Sequence, residues 1–227
     1  MMMIALFQDF ELRSKEVSKY FIFLKNLEQG TVQLSMQDRD RKPKIRKINP
    51  DLEKTLKASG FLLLYNLVES TMRNAIEVIF DELRSQKISF DEVRADLKKI
   101  VLEKFKKCNT DKILENITKI SLDIIAVCFD KKKLFSGNID GRMIREVAKE
   151  FGFSCMTDPI KTGDGMDLLT VKTNRNDLAH GIKSFAEVGR DKSANELLKI
   201  KSKVVKYLRG ILLNIEKYLL NKEYLEP

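Results

Sequence analysis

NPDLEKTLKASGFLLLYNLVESTMRNAIEVIFDELR, residues 49–84, carries a helix start at its head and a helical period along its length. Asn49 is a good cap, Pro50 suits the first helical position, and Asp51 and Glu53 favour the positive end of the helix dipole. Leu52, Leu56, Leu63, Leu67 and Ile79 then continue an apolar face to about Arg84. Along the same helix Asn66, Glu69, Arg73 and Glu77 fall at steps of three and four, a polar stripe through an apolar stretch. The stripe reads either as a solvated face with an i,i+4 ion pair or as a set of groups facing a functional site.

Upstream, residues 3–28 place Leu6, Phe10, Val17, Phe21, Leu24 and Leu27 mostly three, four or seven apart, one amphipathic helix that Gly30 can end. Residues 37–47 carry Arg39, Arg41, Lys42, Lys44, Arg46 and Lys47 around Pro43 with no helical period. This densest basic patch reads as an exposed loop or short ribbon, either a solvated connector or a flap that contacts RNA phosphates. Downstream, helices are expected over residues 90–107, 110–130 and 140–151, with Lys131, Lys132 and Lys133 closing the second. Residues 153–173 hold Gly163, Gly165, Asp158-Pro159 and the β-prone Leu168-Leu169-Thr170-Val171, which predicts a loop with a short extended piece. Ser193 and Glu196 have the capping-box form for a final helix with Leu197, Val204, Leu208, Ile211, Ile215 and Tyr218 on its apolar stripe. The fold expected is mostly α, a helical bundle over residues 49–227 extended by the helix and basic loop of residues 1–48, with room for one short β-ribbon.

With 227 residues and 43% apolar content the chain can bury a sizeable core, and only ten glycines and four prolines favour helices over turn-rich sheets. Forty-two basic against thirty-three acidic side chains leave +9, the sign that suits a polyphosphate partner. Cys108, Cys128 and Cys155 are odd in number and widely spaced, and one histidine cannot complete a tetrahedral zinc set, so neither a disulfide framework nor a metal site is expected. Glu69, Arg73 and Glu77 interrupt the densest apolar segment, against a membrane span, and the apolar start lacks a basic leader. A cytoplasmic location follows as the expectation, with no cofactor.

The only histidine closes Arg175-Asn176-Asp177-Leu178-Ala179-His180, with Gly181 directly after it. A permanently cationic arginine suits phosphate and a histidine exchanges protons near neutral pH, so the pair is a minimum kit for RNA cleavage without metal. On one short helix, residues five apart lie about 140° apart around the axis, so a site using both needs another element or an arginine that reaches around. Asn176 is expected to position the arginine. Asp177 reads as a helix cap or a partner of the histidine, and Glu69 or Asn66 of the polar stripe could orient Arg175 or His180. Ser184 and Phe185 could shape a pocket, although Phe185 reads more readily as core.

Residues 174–189, NRNDLAHGIKSFAEVG, resemble the signature of the HEPN superfamily, in which Arg, four to six residues and His precede a long final helix. LVESTMR at residues 67–73 and SGNID at 136–140 fit the same likeness, which runs from about residue 50 to the end and is closest to the MAE-like HEPN branch of bacterial defence and toxin proteins. The resemblance implies a homodimer whose two motifs meet across a cleft, a metal-independent endoribonuclease that uses Arg175 and His180, and 2′,3′-cyclic phosphate and 5′-hydroxyl ends. A toxin or antiphage role is implied too, with any antitoxin or defence partner unidentified. Ile182 stands where nucleotide-accepting HEPN toxins carry a tyrosine, which speaks against that route of regulation. The alternatives are a non-catalytic RNA-binding or regulatory HEPN module and a purely structural dimerisation module.

Overall fold

The computed structural model describes residues 2–36, 44–106, 135 and 137–226. The helix expected over 110–130, the lysines at 131–133, Cys108, Cys128, Ser136 and the basic residues Arg39, Arg41 and Lys42 lie outside the described residues. Helix α1 spans Met2–Glu28, strands β1 and β2 are Leu34–Met36 and Lys44–Arg46, and α2 runs over Pro50–Ser85. Then come α3 (Ala95–Lys106), α4 (Gly141–Phe151), α5 (Pro159–Thr162), a 3-10 turn at Gly163–Gly165, α6 (Asp167–Ala179), α7 (Phe185–Arg190) and α8 (Ala194–Leu220). Among the described residues the architecture is all-α apart from one antiparallel ribbon, in which Leu34 pairs with Arg46, Ser35 with Ile45 and Met36 with Lys44.

Helix α2 is the spine, and α1, α6, α7 and α8 all pack on it. Its start follows the local rules: the Asn49 side chain accepts the Asp51 amide at 2.8 Å and Pro50 follows at the first helical position. Phe61, Leu64, Leu67, Val68, Met72, Ala75, Ile76 and Ile79 are fully buried along it, against Tyr207, Leu208, Ile211, Leu212 and Ile215 of α8. Each large apolar side chain so buried contributes on the order of 1.5–3 kcal/mol. Two leucines assigned to the apolar face lie outside it: Leu52 is 46% exposed and Leu63 38% exposed. Helix α1 seats Leu6, Phe10, Val17 and Phe21 in the same core and also buries Leu24 and Leu27. The Phe21 ring occupies the place beside Gly60 where a Cβ would sit, 3.0 Å from that position, so α1 and α2 approach closely because residue 60 has no side chain.

Two expected boundaries change. Helix α3 begins at Ala95, not near residue 90, because Val93 instead bridges to Leu225 and the Arg94 amide donates to the Tyr224 carbonyl. The larger correction is at residues 153–173. Asp158 caps α5, and Leu168–Val171 lies within α6 and is not an extended piece. Leu168, Val171 and Leu178, spaced by three and seven, are buried while Leu169 is 55% exposed, the burial of a helix face. Packing on α2 and α8 overrides the β preference of the local residues. Helix α4 falls where a helix was expected, capped by Asp140 and ended by Gly152 at φ +88°, and Ser193 and Glu196 form the capping box of α8 as read. No described helix is long and apolar enough to cross a membrane.

Candidate nucleic-acid site at the end of α6

Arg175, Asn176 and Asp177 occupy the last turn of α6, and His180 is its C-cap. The helix stops there for a geometric reason. Gly181 adopts φ +66°, its amide donates to the Leu178 carbonyl at 3.3 Å, and the Ile182 amide donates to the Asp177 carbonyl at 2.8 Å. That pair of hydrogen bonds around a left-handed glycine is the Schellman ending. It leaves His180 exposed, and the histidine side chain makes no hydrogen bond or ion pair with any described residue.

Arg175 has the opposite environment. Its Cζ lies 4.6 Å from the centroid of the Tyr65 ring on α2, and its Nη1 donates to Asn176 Oδ1 at 2.9 Å and to the Gly137 carbonyl at 3.4 Å. The Asn176 Nδ2 in turn donates to Asn138 Oδ1 at 2.9 Å. The Ile139 amide donates to the Tyr65 hydroxyl at 3.1 Å, in a buried contact. Asp140 closes the series: its Oδ1 accepts the Met143 amide at 3.0 Å and its Oδ2 pairs with the Lys172 ammonium of α6. Four consecutive residues, 137–140, therefore each bond to Tyr65 or to α6.

The electrostatics follow from these contacts. Burial pushes the Tyr65 phenol up, the Ile139 amide and the cations Arg175 and Arg73 pull it back, and Glu69 adds to the rise. Burial works to raise Asp140 too, but the Lys172 ammonium and the Met143 amide hold its carboxyl below the usual range. The Asp177 carboxylate binds Lys183 at 2.8 Å and raises that lysine, so the only described partner of the Asp177 side chain is Lys183 and not His180.

The remaining expected residues fall in four places. Glu69 forms an ion pair with Arg73 at 2.5 Å and bears electrostatically on Tyr65. Asn66 instead lines a groove against α1 with Arg13, Glu16 and Tyr20. Lys44, Arg46 and Lys47 are exposed on and beside β2. Ser184 is used as the cap of α7, where its hydroxyl and the Glu187 carboxylate form a capping box, and Phe185, read as core, is 37% exposed. Tyr65 escaped the reading of the motif, and Gly137 and Asn138, quoted within SGNID for the family likeness, were given no role beside Arg175. An aromatic beside Asn66 on a helix otherwise read for its charges was the one available signal for Tyr65.

A family profile described as HEPN_MAE_28990/-like HEPN matches residues 2–224, so it begins well before residue 50 and takes in α1 and the ribbon. Neither the curated proteins nor the solved structures compared contain a match to the chain. The helical architecture, the motif at the end of α6 and a match over nearly the whole length agree: the chain belongs to the MAE_28990-like HEPN family.

Proposed function

We propose that the protein is a metal-independent endoribonuclease that works as a homodimer in toxin or antiphage defence. HEPN domains are generally associated with ribonuclease activity and commonly dimerise and bind RNA. The observation that carries the reading is the pairing, on one helix end, of a part-buried, fixed arginine with an exposed, unengaged histidine. Cleavage needs a base for the 2′-hydroxyl, charge stabilisation at phosphorus and an acid for the 5′-oxygen. Arg175 holds the non-bridging oxygens, Asn176 positions it, and His180 moves the proton. Two histidines, one from each subunit, divide the acid and base roles that a chain with a single histidine cannot fill alone. The 2′-hydroxyl attacks phosphorus as it loses its proton, and the 5′-oxygen leaves with a proton. The products are a 2′,3′-cyclic phosphate and a 5′-hydroxyl, and DNA survives. The exposed cations Lys44, Arg46 and Lys47, with Arg39, Arg41 and Lys42 of the same segment, supply phosphate contacts.

The test incubates purified protein with total RNA in EDTA, beside Arg175→Ala and His180→Ala, and analyses fragment ends. Cyclic phosphates from the wild type alone support the reading. Intact RNA bound in a salt-dependent way points instead to an RNA-binding module, a reading favoured by the lack of any described contact between Arg175 and His180.

A further inference from the structure

We propose that Tyr65, acting with the 137–140 segment, is a positioning residue that fixes the Arg175 guanidinium by its face and one edge and leaves the other edge for a phosphate. The inference rests on the ribonuclease reading for its consequence but not for its geometry.

The arginine is held by three contacts, one on its face and two at one corner. Tyr65 covers one face at 4.6 Å, a cation–π distance. The Nη1 corner is occupied by Asn176 Oδ1 and the Gly137 carbonyl, whereas Nη2 and Nε donate to no described residue. Those two nitrogens form the fork that meets two phosphate oxygens in parallel. The clamp is itself fixed from outside. The Tyr65 hydroxyl accepts the Ile139 amide and so ties the segment to α2, Asn138 ties it to Asn176, and Asp140 ties it to Lys172. Tyr65 is buried in the core on α2, an element separate from the segment it holds. Gly137 fits this arrangement at φ +77°, and a Cβ there would stand 3.6 Å from both terminal nitrogens of Arg175, in ordinary van der Waals contact. A flexible arginine would lose much rotamer freedom on meeting a transition state, and a clamped one has already lost it, which places the benefit in kcat.

The test combines a readout that needs no cleavage with one that does. In the full-length protein labelled at arginine, with Arg175→Lys assigning the signal, the Arg175 side-chain protons are expected upfield of the other arginines through the Tyr65 ring current. Tyr65→Phe keeps that shift and Tyr65→Leu abolishes it. On RNA, Tyr65→Leu lowers kcat by about tenfold or more with KM within about threefold, and Tyr65→Phe restores kcat to within about threefold. Asn138 is exposed, so Asn138→Ala supplies a folded variant should Tyr65→Leu unfold, and it lowers kcat a few-fold while leaving the ring shift in place. An Arg175 signal in the wild type that is unshifted and as mobile as surface arginines overturns the clamp. A lost shift with unchanged kcat overturns the positioning role. RNA left intact by the wild type defeats the ribonuclease reading, and the arginine spectrum then decides the clamp by itself.

Discussion

At the scale of single residues, Arg175 carries a demand that a lysine cannot meet. The Tyr65 face and the Nη1 corner use the planarity of the guanidinium, and a phosphate would use its remaining fork. Arg175→Lys keeps the charge but loses both. Binding of RNA, measured by anisotropy at one fixed salt concentration, is therefore expected to stay within a few-fold of wild type. Single-turnover cleavage is expected to fall by about a hundredfold, the scale of a misplaced catalytic contact. Equal losses in binding and cleavage would instead mark Arg175 as a general phosphate contact. His180 needs no such support: the chain ends its helix beneath it and leaves the ring in solvent.

At the scale of elements, the site depends on how α6 stops and on how the 137–140 segment is pinned. Gly181→Ala must place a side chain at φ +66° with nothing within 4 Å to blame but the backbone itself. The cost should be about 1 kcal/mol, a fall in Tm of about 2–4 °C for a domain of this size, with cleavage reduced because His180 is the residue just before. A wild-type Tm for Gly181→Ala would show that α6 ends some other way. The pin is pH-dependent. Asp140 has its pKa depressed below 3.8, so its contribution is fully present above that value and is lost as pH falls through the lower folded value. Asp140→Asn should cost about 1–3 kcal/mol at neutral pH and should lose less Tm than the wild type below pH 4. Parallel acid profiles for the two proteins would count against it. The caps at Asn49 and Ser193 were legible in the sequence because each is set by residues a few positions apart. The α6 start was not, because Leu168–Val171 looks extended until α2 and α8 are there to bury one side of it. Nor was Tyr65, since its partners Ile139 and Arg175 are brought to it only by the folded bundle.

At the scale of the whole molecule, one histidine per chain and a net charge of +9 frame the last two expectations. Counterion release makes RNA binding fall steeply with salt, and neutralising Lys44, Arg46 and Lys47 together should flatten the slope of log K against log salt, by roughly 0.7 for each single-strand phosphate that the variant leaves unneutralised. An unchanged slope would assign these exposed cations to ordinary solvation. The stronger test concerns how many histidines a site consumes. A dimer that divides acid and base between two copies of His180 works only when both subunits carry the residue. Refolding wild type with an equal amount of His180→Ala would leave about a quarter of the dimers with two histidines, against about half if the chains never mixed. Activity per wild-type chain is then expected to drop to about half, whereas a site that needs only its own subunit's histidine keeps full activity per wild-type chain. The same mixture left unrefolded is the control, because without subunit exchange both accounts give the wild-type rate, and only a rate that falls on exchange assigns the two proton transfers to two subunits.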